Sequence, residues 1–149
     1  MTDEMPLETI RRMWSGDPPP AFAHLGGQVV AVDPEAGTSE VHFFARPEFC
    51  NRWGQVQGGF VTAMLDSTSA VAGIARSGFT LVMPTIELKT SFIAPAPQGR
   101  LIGRGLALRI GRSVAFLEGE LYDPGGTLLA RGSFTARPRP LDPADWSGG

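Results

Sequence analysis

The sequence predicts an α+β fold in which a mostly antiparallel sheet is covered by one long helix. Residues 59–76 form the only long helical pattern, and strand-like runs rich in β-branched and aromatic residues lie on both sides of it. The chain has 149 residues and shows neither an internal repeat nor a linker, so one domain accounts for most of it.

The segment before the long helix is predicted to contain one short helix and two strands. Residues 1–14 carry a helical apolar stripe, which the consecutive prolines of 15–20 end. Strand-like runs at 25–33 and 38–45 are separated by the turn sequence DPEAG, and a loop at 46–58 leads to the long helix.

Four strands and a tail are predicted after the long helix, which ends at Ser77-Gly78. The strand-like runs lie at 80–93, 100–110, 112–122 and 127–137. We therefore divide the chain into an N-terminal helix and loop (1–20), one α+β domain (21–137) and a flexible Pro/Gly-rich tail (138–149).

Composition limits the partners that the protein can take. A formal charge of -2 without a Lys/Arg block disfavours nucleic acid, and the longest apolar run is too short to cross a bilayer. No apolar leader is visible, and the single cysteine excludes an intrachain disulfide and a cysteine-based zinc site. We therefore expect a soluble, cytoplasmic protein with no membrane or nucleic-acid partner and no metal.

Asp66 is the one charged residue within the apolar run 61–74 of the long helix. At about 100° per residue, its neighbours on the helical wheel are all small, whereas the bulky side chains lie opposite. These neighbours are Gly59, Thr62, Ala63, Ser69, Ala70, Gly73 and Ser77. The bulky side is predicted to pack on the sheet, which leaves the small-residue face free for a ligand, another backbone or a second subunit. An enclosed Asp needs a hydrogen-bond partner or a function; an ordinary exposed Asp is the alternative.

The glycine pair Gly58-Gly59 at the start of this helix has a separate explanation. Amide groups at a helix start lack internal partners, and glycine lets a ligand oxygen approach them; a simple turn is the alternative. Gly58 lies eight residues before Asp66, about 12 Å along a helix, so both cannot touch one carbonyl group from the same chain. If both act together, a two-fold-related second chain must supply one of them.

The motif N-x-x-G-x-x-Q-G-G, which begins at Asn51 and is followed by Asp66, resembles the signature of hotdog-fold acyl-CoA thioesterases of the phenylacetate-pathway (PaaI-like) type. The resemblance spans about residues 22–137 and includes TIEL, APA, GRS and DPGG further along the chain. It implies a hotdog fold, in which an antiparallel sheet wraps a long helix. It also implies cofactor-free hydrolysis of acyl-CoA by a homodimer or homotetramer.

The resemblance implies roles for individual residues as well. The amide of Gly58 would stabilise the oxyanion, and Asp66 of the facing subunit would act as general base or nucleophile. Asn51 would orient the substrate carbonyl group or the water, and the Thr85 hydroxyl would help to hold the water. Gly59 is predicted to contribute to substrate binding.

Gln57 departs from the family pattern, because relatives usually carry His at this position. A Gln side chain can donate and accept hydrogen bonds and so can position a thioester, but it cannot titrate near neutral pH. We therefore expect Gln57 to bind substrate and to change its positioning rather than to abolish the activity.

Other candidate chemistry has weaker support. Cys50 could pair with His24 or His42, but a lone cysteine is more often a small buried hydrophobe. The segment Gly103-Arg104-Gly105 lacks the third glycine of a dinucleotide-binding loop. The arginines of the strand-like runs are either ordinary surface charges or, for Arg112 first, contacts for the phosphates of coenzyme A.

Three other functions remain alternatives. They are a non-catalytic acyl-CoA-binding hotdog domain, a hotdog dehydratase or hydratase, which generally needs a His in its site, and a structural oligomerisation module. The acyl group itself, whether aromatic, medium-chain or short-chain, stays open at this point.

Overall fold

The computed structural model describes residues 12–142. Most of the helix predicted at 1–14 therefore lies outside the described residues, and Arg12–Gly16 form a helical turn. A short helix that we did not predict, α1, follows at Pro20–His24. The prolines that end the preceding turn also supply its start, because proline is tolerated in the first turn of a helix.

Eight strands and one long helix make up the rest of the described chain. The long helix α2, here called the central helix, spans Gly58–Arg76, and a 3-10 turn lies at Pro47–Phe49. The strands are β1 Gln28–Asp33, β2 Thr38–Ala45, β3 Leu81–Val82, β4 Thr85–Phe92, β5 Gly99–Ile110, β6 Ala115–Tyr122, β7 Leu128–Ala136 and β8 Arg139–Pro140.

Six of these strands form one antiparallel sheet in the order β1-β2-β5-β6-β7-β4. The sheet packs on the central helix, with buried side chains of both filling the space between them. This confirms the predicted α+β class and the hotdog arrangement that the resemblance implies. No helix within residues 12–142 has the length and hydropathy needed to cross a membrane.

The chain differs from the sequence-based boundaries at β3 and β8. The single strand expected at 80–93 is divided at Pro84, which cannot donate a ladder hydrogen bond. Arg139 and Pro140, which fall in the predicted flexible tail, instead pair with β3 as a two-stranded sheet. The Leu141 amide also donates to the Thr80 carbonyl oxygen at 2.9 Å, so the ordered chain extends past residue 137.

Three sheet glycines let the central helix approach the sheet closely. A Cβ atom at Gly105 would lie 2.4 Å from the Thr68 carbonyl oxygen, and one at Gly103 would lie 2.3 Å from the Thr68 hydroxyl oxygen. A Cβ at Gly119 would come within 3.2 Å of the helix backbone. The Ser39 hydroxyl donates to the same Thr68 carbonyl oxygen at 2.8 Å. The helix therefore contacts the strands backbone to backbone along this line.

The small-residue face of the helix is only partly free. Ser69 and Gly73 are buried and Gly59 is exposed, whereas the other residues of the face are half-buried, namely Thr62, Ala63, Asp66, Ala70 and Ser77. A Cβ at Gly73 would lie 2.8 Å from the Met83 side chain, which precedes β4. In its second half the close approach that the sequence predicts is made by the same chain, which returns over this face between β3 and β4.

We expect Gly105→Ala to destabilise the fold by about 2 kcal/mol, since its Cβ would overlap a backbone oxygen that no rotamer change can move. The midpoint of urea unfolding measures the loss. Gly125→Ala is the matched control, because a Cβ there meets only the Asp123 side chain, at 3.3 Å. Equal midpoints for the two variants would contradict the close-contact explanation.

Candidate active site

The central helix begins without a side-chain cap. Gln57 occupies the N-cap position in an extended conformation, and its carbonyl oxygen accepts hydrogen bonds from Phe60 and Val61 at 3.0 and 3.2 Å. Among residues 12–142, the amides of Gly58 and Gly59 have no hydrogen-bond partner. Two N–H donors thus stand free at the positive end of the helix dipole, where they can bind a carbonyl oxygen or an oxyanion.

Asp66 is held by a hydroxyl group of the neighbouring strand. The Thr85 Oγ1 donates to Asp66 Oδ1 at 2.7 Å, beside an irregularity in the β4 register between Thr85 and Glu87. The other carboxylate oxygen has neither a hydrogen bond nor an ion pair within the described part of the chain. The structure therefore brings two predicted site residues together and leaves one oxygen of Asp66 able to accept a proton.

Three contacts join one side of the central helix to β4. A Cβ at Gly58 would lie 2.9 Å from the tip of the Phe92 ring, and Thr62 Oγ1 donates to Thr90 Oγ1 at 3.1 Å. The third is the Asp66 contact described above. The sequence reasoning missed Phe92, Thr62 and Thr90 as site residues. The four-residue spacing from Gly58 through Thr62 to Asp66 was the available signal, because residues at i and i+4 share a helix face.

Gly58 and Asp66 do not meet within one chain. Both belong to the same uninterrupted helix, so the eight residues between them correspond to about 12 Å. A carbonyl group bound to the Gly58 amide is therefore out of reach of Asp66 in the same protomer.

Asn51 anchors the loop that leads to the central helix. Its side-chain Oδ1 accepts hydrogen bonds from the backbone amides of Trp53 and Gln55 at 3.0 and 3.2 Å. Its backbone N–H donates to the Gln55 carbonyl oxygen at 2.7 Å. Its Nδ2 has no partner among the described residues. The predicted role of Asn51 in orienting a carbonyl group or a water can therefore use only this N–H donor.

Arg112 lies far from Gly58 in the same chain. It is exposed in the turn between β5 and β6, next to the sheet end where β6 pairs with Ala136. Phe92, which contacts Gly58, pairs with Ala130 near the other end of β7. Six residues of strand separate Ala130 from Ala136, which is about 20 Å. A ligand that touches both Gly58 and Arg112 of one chain would have to span this distance.

The remaining candidates have structural partners elsewhere. His42 forms hydrogen bonds with Arg100 and Glu40 at 2.7 and 2.9 Å, and His24 forms one with Arg46. The Cys50 thiol donates to the Arg46 carbonyl oxygen and forms no hydrogen bond with either histidine among the residues described. No group of His, Cys, Asp or Glu within residues 12–142 could hold a metal ion.

Tyr122 lies on β6 and belongs to a charged cluster outside the candidate site. Its hydroxyl donates to Glu120, and this hydrogen bond, followed by burial, raises the pKa of Tyr122. The Arg104 guanidinium lies 5.2 Å from the centre of the Tyr122 ring. These contacts give Arg104 a packing role.

Comparisons with known proteins agree with this fold. Residues 54–130 match the family model of the thioesterase superfamily. The chain is 30% identical over 103 residues to an esterase candidate from Saccharolobus solfataricus, and the match covers 69% of this chain and 73% of that protein.

Two solved structures are also similar. The first is a thioesterase candidate from Ralstonia eutropha JMP134, described as related to phenylacetic acid degradation. It is 39% identical with a TM-score of 0.77, and the match covers 85% of this chain and 96% of that one. The second, from Streptococcus mutans UA159, was solved bound to acetyl-CoA. It is 16% identical with a TM-score of 0.68, and the match covers 76% of this chain and 89% of that one. At this identity the likeness bears on the fold alone.

We expect Asn51→Ala to loosen the loop that it anchors. Loss of two hydrogen bonds, each worth about 1 kcal/mol, should speed hydrogen exchange of the Trp53 and Gln55 amides at least about fivefold. Asn51→Asp keeps the Oδ1 atom that accepts both hydrogen bonds and is the matched control, in which protection should persist. Unchanged exchange in Asn51→Ala would contradict the anchoring role.

Proposed function

Because the chain belongs to the thioesterase superfamily, we propose that it hydrolyses acyl-CoA thioesters to a carboxylic acid and free coenzyme A. The observation that carries this proposal is the Asp66 carboxylate, held by Thr85 at 2.7 Å on the helix whose uncapped start offers two free amides. A base and an oxyanion site are the two groups that hydrolysis of a thioester requires. The thioesterase candidate from Ralstonia eutropha, which is 39% identical, supports a thioester as the substrate class.

The reaction uses these groups in two steps. Asp66 takes a proton from a water molecule, whose oxygen forms a bond to the carbonyl carbon, and the negative charge that develops on the carbonyl oxygen is held by the Gly58 amide. The C–S bond then breaks, and the coenzyme A thiolate takes up the proton. Thr85 orients the carboxylate, while Gly59, Gln57 and the free Asn51 Nδ2 supply further donors for the substrate.

We place each active site between two chains, because Asp66 of one chain can reach the Gly58 amide only in a partner. The edge of the sheet supports such a pairing. β4 ends the sheet order, and its outer edge is unpaired within the described chain while Ile86 and Leu88 are exposed on it. An unpaired edge strand with apolar side chains is a template for pairing with another copy. Association of two dimers into a tetramer stays a prediction.

The two-fold symmetry of such a dimer locates its axis. If Asp66 of each chain faces Gly58 of the other, the helices run in opposite directions and the axis passes halfway between these residues. Thr62 lies four residues after Gly58 and four residues before Asp66. It is half-buried, and its hydroxyl donates a hydrogen bond to Thr90. Thr62 therefore faces its own copy, and the small side chains near it allow the two helices to approach.

We expect Asp66→Asn to lower kcat for acyl-CoA hydrolysis by about 10²-fold or more with little change in KM, because an amide cannot take the proton from water. Thiol release from a panel of acyl-CoA esters measures both constants. Asp17→Asn is the matched control, since Asp17 is exposed and remote from the central helix in sequence. Undiminished hydrolysis would remove Asp66 from the mechanism, and a wild type inactive on every ester would favour a non-catalytic binding domain.

We expect Thr62→Cys, in a Cys50→Ala background, to form a covalent dimer on mild oxidation. Copies of a residue on the axis lie close together, within the Cα separation of about 4.4–6.8 Å that a disulfide needs. Asp66→Cys in the same background is the control, because its copy would lie about 12 Å away along the helix axis. Denaturing electrophoresis without reductant reads the result. Cross-linking through position 66 but not through position 62 would refute the axis.

A further inference from the structure

An apolar pocket of about 360 Å³ opens beside the start of the central helix. Its floor consists of buried side chains, namely those of Val56, Val61, Ala96 and Leu129. Phe92 and Ile93 form part of its rim, and no charged side chain lines it. The pocket adjoins Gly58, so a group bound there lies next to the free amides.

Phe92 lines this pocket beside the helix start. It pairs with the buried Ala130 on the side of the sheet that faces the helix. The tip of its ring lies so close to Gly58 that a Cβ atom at position 58 would be only 2.9 Å away from it. Even so, 59% of Phe92 is exposed. A large aromatic side chain held against the helix but left open to water is suited to packing on a ligand.

The chemistry of the pocket selects one end of an acyl-CoA molecule. The phosphates of coenzyme A need cations and its pantetheine amides need hydrogen-bond partners, but Gln55 is the one polar side chain among the lining residues. An apolar acyl group needs neither. A charged acyl group, such as one that ends in a second carboxylate, would bury an unpaired charge.

We infer that this pocket binds the acyl group and that Phe92 is the residue that limits its length. The preferred substrates are then uncharged, compact acyl groups, because the volume lies near the lower end of the roughly 300–1,000 Å³ range of small-molecule pockets. The inference rests on the proposed hydrolysis, since it takes the carbonyl group to be held by the Gly58 amide. Replacing the ring by a smaller side chain opens the pocket beyond its present wall.

The test compares kcat/KM for straight-chain acyl-CoA esters from acetyl to dodecanoyl, and for succinyl-CoA, in wild type, Phe92→Ala and Phe92→Leu. We expect Phe92→Ala to move the optimum to longer chains and to raise kcat/KM for the esters just beyond the wild-type optimum by about tenfold, and Phe92→Leu to do so to a smaller extent. Succinyl-CoA should be a poor substrate throughout. Phe116→Ala is the matched control, because Phe116 is 48% exposed on β6 and does not line the pocket.

A second measurement separates this inference from the proposed hydrolysis. S-alkyl-CoA thioethers cannot be hydrolysed, so their affinity, measured by calorimetry, reports the pocket alone. Tighter binding of long thioethers to Phe92→Ala would support the pocket even if no ester were hydrolysed. Two results would overturn the inference and leave the proposed hydrolysis intact. The first is that wild type and Phe92→Ala are both active and prefer acyl chains of the same length, and the second is that succinyl-CoA and butanoyl-CoA are hydrolysed at equal rates. Thermal unfolding of each variant checks that the fold is kept.

Discussion

The close contact of the central helix with three sheet glycines is the constraint on which the rest of the structure depends. Gly103 and Gly105 meet Thr68 where even a methyl group would not fit, and Gly119 faces the helix backbone one strand away. This contact fixes how deeply the helix lies on the sheet and how it is rotated about its axis. The bulky side chains fill the core as a result, and the side that carries Asp66 is turned to β4.

Several features that are unfavourable in a single chain lie on that same side. They are the uncapped amides at the helix start, the half-buried carboxylate, the line of small residues and the apolar unpaired edge of β4. The uncapped amides lack partners within the described chain, and the exposed apolar side chains of β4 cost free energy in water. If substrate and a second chain bind on this side, they cover all of these features together. The contacts of Phe92, Thr90 and Thr85 with the central helix fix the position of β4 within the single chain.

The repeating patterns of the sequence were sufficient for the central helix and for the main sheet, because one-sided burial leaves a period of 3.6 or 2 residues. Features that depend on distant partners were not predictable in this way. β8 exists because β3 is there to pair with it, and a proline-rich segment carries no strand period of its own. Gly103-Arg104-Gly105 lacked a ligand-binding pattern, and only the position of Thr68 explains its glycines. The sequence placed Asn51 in a loop. The two hydrogen bonds that its side chain accepts from the backbone could not be predicted, because they depend on how the loop folds back on itself.

The uncapped helix start also bears on how the protein can evolve. Gln57 makes no capping hydrogen bond, although Ser, Thr, Asp or Asn at this position would satisfy one of the open amides and stabilise the helix by about 1 kcal/mol. Such a variant differs from this chain at one residue and would be more stable. If the Gly58 amide binds a substrate carbonyl group as proposed, the oxygen of such a cap would lie beside that amide and compete with the substrate, so this gain in stability conflicts with the proposed role.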